Sequence, residues 1–384
     1  MSRAVSLVRV AAGAIAGLIL LLGGWYAYWT YYDPDVDVPS PDVLEFPSLS
    51  GGRTGRVLFL GDFAPTDHAT PFLKKHGWGY PYEKTRALLA GYDAVVANLE
   101  SPVTSSGDPW PVPKKWVYKV DPAAVPAMRR AGIDVVTLAN NHTHDYGRRG
   151  LADTLRHLSE GGIAHLGAGL SERRARRGLV LDTAGGRLGL LSYMQNKEHW
   201  RFRDMAYALD TPFRSWSGVA RLRYSDLAED IERMRRSSDA VVVAVHWGRN
   251  YRPISRFQET LGRACVELGA DAVIGHHPHQ YQPVGLHDGR PIIYSLGNYA
   301  FGTLGRRTMR FGMGAALHLE DGEIRAVELI PLLTQNRIVR YQSRIPRGER
   351  LDRFFEGLLA PSAGRGASIE RRGFRGWLSL PKAR

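Results

Sequence analysis

Six short runs of β-branched and apolar residues recur along this chain: Val57–Leu60, Ala94–Leu99, Val135–Ala139, Leu188–Tyr193, Ala240–Val245 and Ala272–Ile274. Between and after them, Asp121–Ala131, Gly150–Glu160, Asp226–Arg236 and Phe257–Leu268 carry apolar residues at helical spacing. That alternation predicts an α/β architecture. A strand-rich portion follows at Ile292–Leu296, Ala315–Glu320 and Ile324–Leu332, with Asp321-Gly322 marking a hairpin turn. A length of 384 residues with 44% hydrophobic and 23% charged residues suits a sizeable folded core and excludes a disordered chain.

The chemically capable residues fall where the apolar runs stop. Gly61-Asp62 closes the first, Asn98 and Glu100 the second, Asn140-Asn141-His142 the third and His246 the fifth. Gly275-His276-His277-Pro278-His279 and Ser295-Leu296-Gly297-Asn298 follow two later runs. Ligands of open α/β sheets gather at the carboxyl ends of strands, so these side chains are expected to converge. Singly, each has a plainer reading: Gly-Asp is a turn, and a histidine ending a buried strand is a satisfied core residue. Their joint occurrence points to a metal or anion site. The single cysteine, Cys265, leaves no thiol cluster, so any metal must be held by His, Asp, Glu or Asn. Mn²⁺, Fe²⁺ and Zn²⁺ accept such mixed ligands, and one or two such ions suit hydrolysis by activating bound water.

Outside this region, Val10–Tyr32 contains no charged side chain and is long enough to span a bilayer. Arg3 and Arg9 precede it and Asp33, Asp35 and Asp37 follow. This predicts a short cytoplasmic stretch, 1–9, a transmembrane anchor, 10–32, and an extracytoplasmic remainder on the cytoplasmic membrane. Residues 33–56, with Pro34, Pro39, Pro41, Pro47 and three glycines, read as a linker to a folded domain at 57–333. The formal net charge is +13, and the segment 334–384 reads as a basic tail. An anionic polymer or lipid surface fits that charge; no nucleic-acid motif accompanies it.

Taken in order, Gly61-Asp62, Asn98-Leu99-Glu100-Ser101-Pro102, Ala139-Asn140-Asn141-His142 through Asp145-Tyr146-Gly147, His246-Trp247-Gly248, Gly275 to His279 and Tyr294 to Asn298 resemble the bacterial capsule-synthesis CapA family. Its domain is similar to calcineurin-like metallophosphoesterases. The resemblance spans roughly Val57 to Leu333 and implies a two-sheet α/β sandwich flanked by helices. By this resemblance Asp62 and His279 serve a first metal, Glu100 bridges, and Asn141, His246 and His277 serve a second. His142 contacts substrate and protonates the leaving oxygen, while Asp145 either orients His142 or caps the next helix. Asn98, His276 and Asn298 are the implied substrate contacts. The chain departs from the metallophosphoesterase pattern in having Phe63-Ala64 after Asp62, where Asp-x-His is usual, and Glu100 where Asp is usual. The resemblance further implies a part in making or exporting poly-γ-glutamate, alongside other capsule-synthesis membrane proteins. The alternatives are an extracellular phosphoesterase and a non-catalytic polyanion-binding subunit.

Overall fold

The strands are written in chain order as β1 (Val43–Phe46), β2 (Thr54–Ala64), β3 (Ala94–Leu99), β4 (Val135–Thr137), β5 (Ala164–Leu166) and β6 (Ala168–Gly169). Next come β7 (Leu179–Thr183), β8 (Gly186–Gln195), β9 (Gly218–Val219), β10 (Arg221–Leu222), β11 (Ala240–His246), β12 (Ala272–His276) and β13 (Val284–His287). The last six are β14 (Arg290–Ile293), β15 (Asn298–Phe301), β16 (Phe311–Glu320), β17 (Glu323–Leu333), β18 (Glu370–Arg372) and β19 (Arg375–Ser379). These belong to a computed structural model that describes residues 17–18, 42–46, 53–110, 114–195, 218–304 and 310–381.

One sheet has the order β1-β7-β8-β11-β12-β14-β13, with β10 beside β8. The other runs β18-β19-β17-β16-β2-β3-β4-β5, with β15 beside β2. Strands β8, β11, β12 and β14 are parallel, as are β2, β3, β4 and β5, so each sheet delivers several carboxyl ends to one edge.

Side-chain alternation assigns the layers. Val57 and Phe59 of β2, Val96 of β3, Leu190 of β8, Val242 of β11 and Ile274 of β12 share one buried cluster between the sheets. Their sequence neighbours point the other way. Leu58, Leu60 and Val95 pack with Leu151, Leu155 and Leu158 of the helix Gly147–Glu160. On the opposite face, Val241, Val243 and Val245 pack with Leu227 and Ile231 of the helix Tyr224–Arg235 and with Leu261 and Cys265 of the helix Arg256–Glu267. The result is helix, sheet, sheet, helix. Burying each such aliphatic side chain contributes roughly 1.5–3 kcal/mol, which is why the central strands are apolar on both faces.

The expected strands and helices coincide with elements of the fold, although Val135–Ala139 and Ile292–Leu296 run past the ends of β4 and β14 and Asp121–Ala131 forms a 3-10 turn, Pro122–Ala124, followed by a helix, Val125–Arg130. Asp321-Gly322 makes the β16–β17 turn with both residues at positive φ. The reading of 334–384 as a tail is corrected. Strand β19 pairs with β17, β18 pairs with β19, and Phe354, Phe355 and Leu358 of the helix Glu349–Ala363 join the core between the sheets. The linker reading of 33–56 is corrected in part, because Val43–Phe46 pairs in parallel with β7. The expected anchor, 10–32, lies outside the described residues except Gly17 and Leu18, which are helical. Among the described residues no helix is long and apolar enough to cross a membrane.

Candidate metal centre

Asp62 sits at the end of β2 because two glycines let strands β2 and β15 approach. A side chain at Gly61 would lie 2.0 Å from the Gly297 carbonyl oxygen, and the Asp62 N–H donates to that same oxygen at 2.8 Å. The Asp62 carboxylate accepts from Asn98 Nδ2 at 2.8 Å and from the His277 backbone N–H at 3.1 Å. Asn98 is itself held by Thr137 Oγ1, 3.1 Å, and Asn140 Nδ2, 3.3 Å, both donating to its Oδ1. Its amide is therefore engaged with protein partners on both sides.

Beyond β12 the chain turns sharply. His277 and His279 adopt φ of 95° and 56°, left-handed conformations that cost a non-glycine residue about 1–3 kcal/mol. The turn brings both imidazoles to the strand ends. His277 Nδ1 lies 3.0 Å from His246 Nε2, which is 2.7 Å from Asn141 Oδ1 and 3.5 Å from Glu100 Oε1. His279 Nδ1 lies 3.4 Å from Asp62 Oδ2, 3.8 Å from Glu100 Oε2 and 2.9 Å from Asn298 Oδ1. His276 Nδ1 is 3.3 Å from Asp62 Oδ1.

These contacts form two overlapping groups. Glu100, His246 and His277 offer one, and Asp62, Glu100 and His279 the other, with the ligand atoms of each within 4.8 Å of one another. Glu100 belongs to both. It is fully buried, yet neither carboxylate oxygen has a hydrogen-bond partner. An unsatisfied buried carboxylate costs several kcal/mol unless a cation or proton neutralises it, so the donor set fits a divalent ion. Burial holds the Glu100 carboxyl well above its usual range, with Asp62 adding to the effect against His279. Burial pushes Asp62 the same way, but His276, His279 and His246 outweigh it and hold that carboxyl low.

Asp145 resolves between its two expected roles. Its Oδ2 is 2.8 Å from His142 Nδ1 and accepts from the Tyr118 backbone N–H at 2.7 Å, and its Oδ1 accepts from Lys114. It caps nothing: the helix Gly147–Glu160 begins at Tyr146 without a side-chain cap. Lys114 also donates to the backbone carbonyl of Asn141. Burial and then Lys114 push His142 down to about 4 against Asp145, so the imidazole is neutral at pH 7.

Sequence reasoning missed Lys114 and Tyr118, which lie in a segment without strand or helix periodicity. His144 is buried edge-on against Trp110 at 5.6 Å. Asp67 and His68 lie 3.9 Å from one another at the surface.

Two packed mixed sheets carrying overlapping buried carboxylate and imidazole groups at their strand ends define an α/β protein with a candidate cation centre. The chain belongs to the bacterial capsule synthesis protein PGA_cap family, whose model matches residues 56–303. That span contains every candidate ligand. It is similar to the capsule biosynthesis protein CapA of Bacillus anthracis, 29% identical over 289 residues, covering 73% of this chain and 67% of that protein. Similarity to the PGA biosynthesis protein CapA of Bacillus subtilis (strain 168) is 27% over 302 residues, or 78% and 74% of the two chains. A probable polyglutamine synthesis accessory protein of Mycobacterium tuberculosis is 29% identical over 231 residues, 58% of this chain and 59% of that one.

Proposed function

We propose that this protein acts in capsule-polymer synthesis or export, on a polyanion of the poly-γ-glutamate kind, through a metallophosphoesterase-type hydrolase centre. The observation that carries this reading is Glu100, shared by two ligand groups and unpartnered in both. Asp62, Glu100 and His279 would hold one divalent ion, and Glu100, Asn141, His246 and His277 another, as Mn, Fe or Zn. Bound there, such ions would supply Lewis acidity and a more acidic water.

The remaining residues position and move protons. Asn98 orients Asp62 and Asn298 orients His279, and His276 stands beside Asp62. Asp145 fixes the His142 ring through Nδ1, leaving Nε2 as the atom that exchanges a proton with substrate. Lys114 fixes Asp145 and the Asn141 backbone together. The domain is carried outside the cell by the anchor at 10–32, with the folded region beginning at β1, Val43–Phe46.

The test is turnover of the purified protein on γ-glutamyl amides and on a panel of phosphoesters, with metal content measured in parallel. His142→Ala is expected to retain metal and lose at least ~100-fold in kcat on whichever class is cleaved. A protein that binds metal but turns over neither class, with His142→Ala indistinguishable from wild type in polymer binding, contradicts the hydrolase reading and leaves a binding subunit.

A further inference from the structure

The C-terminal segment builds a second cationic feature apart from the ligand cluster. A cavity of about 680 Å³ is lined by Lys84, Arg344, Arg347 and Arg350 around Leu333, Ile338 and Ile345. Among the described residues no carboxylate lines it. Among the described residues none of the four cations forms an ion pair, and the Arg344 Nε is buried without a hydrogen-bond partner. Nearby carboxylates are directed elsewhere: Glu83 accepts from Gln342 at 2.6 Å, and Glu349 pairs with Arg353.

The contrast is a larger cavity of about 910 Å³ lined by Arg173, Arg174, Arg176, Arg177 and Arg233. There Arg176 is tied to Asp226, Glu229 and Asp230, Arg233 to Asp230, and Arg177 to Asp42. That cluster neutralises itself, whereas the first presents four positive charges in excess.

Its position is set by the sheet. Leu333 pairs with Phe311, and the register of β16 against β2 places Phe311 toward the end of β2 that carries Asp62. The Leu333–Arg344 bridge and the Asn336 hydrogen bond to the Phe301 carbonyl, 2.6 Å, sew the basic segment to that same end.

We infer that Lys84, Arg344, Arg347 and Arg350 form a docking site for successive carboxylates of an acidic polymer chain, separate from the metal centre. The apolar floor of Leu333, Ile338 and Ile345 suits the methylene segments between those carboxylates. The inference rests on the polyanion reading of function but names a different site for it.

Arg347 and Arg350 are exposed, so their reversal leaves the fold intact, which melting curves check. Fluorescent poly-γ-glutamate oligomers are titrated against the purified full chain, Arg347→Glu/Arg350→Glu, and a charge-matched control, Arg130→Glu/Arg173→Glu, at exposed positions away from the cavity, at several salt concentrations. The expected result is a loss of at least ~10-fold in affinity and a shallower salt dependence in the Arg347/Arg350 variant, with the control within about twofold of wild type. Wild-type binding unaffected by the charge reversals overturns this site while the polyanion reading stands. Failure of the wild type to bind oligomer at all overturns both. Loss of binding to phosphatidylglycerol vesicles in the Arg347/Arg350 variant, with oligomer binding unchanged, overturns the polymer in favour of a lipid surface.

Discussion

Glu100 sets the energetics of the centre because it is buried, acidic and without a hydrogen-bond partner. Replacing it with glutamine keeps its size and removes the ionisable group. In chelator, Glu100→Gln is expected to melt at or above wild type, and added Mn²⁺ or Zn²⁺ is expected to raise the wild-type Tm by several degrees but not the variant's. Calorimetric melts with and without metal decide it. The raised Glu100 pKa also fixes a sign: over the pH range in which this carboxyl binds a proton in the metal-free fold, the cation competes with that proton, so affinity tightens with rising pH. Titration calorimetry in buffers of different ionisation enthalpy should show proton release. Asn98→Ala leaves Asp62 without its amide donor and Thr137 without its acceptor, an expected loss of roughly 1–3 kcal/mol by denaturant unfolding. At this scale Asp62, Glu100, Asn141, His246, His277 and His279 were legible because each ends or follows an apolar run. Asn98 was visible as a polar strand end, but its engagement with Asp62 and Thr137 was not, since that depends on pairing between strands distant in sequence.

Parallel strands end together, and that explains why the chemistry assembles at one edge from segments as far apart as β2 and β15. The central strands could be read from their β-branched runs. The edge strands could not: Val43–Phe46, Glu370–Arg372 and Arg375–Ser379 are short, and they are strands because a neighbour offers unpaired backbone groups, not because of their own pattern. The helix Glu349–Ala363 was hidden by its charge and by Pro361 inside it. Its burial makes a prediction at the scale of the element. Phe354→Ala is expected to cost about 3–5 kcal/mol in urea unfolding, and deletion of residues 334–384 is expected to give insoluble protein. A soluble, cooperatively melting truncation would contradict the assignment of this segment to the core.

Over the whole molecule, the +13 charge and the buried centre act over different ranges. The charge acts at long range and is screened by salt; the centre is buried and is not. Deletion of 10–32 is expected to move the protein from the membrane fraction to the soluble fraction without changing its metal content, checked by fractionation and elemental analysis. The most direct measurement is metal stoichiometry by elemental analysis of the purified wild type, His246→Ala and Glu100→Gln, each confirmed folded. The account predicts roughly two equivalents in the wild type, about half in His246→Ala, and little in Glu100→Gln. Equal metal content in all three proteins, or none in the wild type after reconstitution, would contradict it.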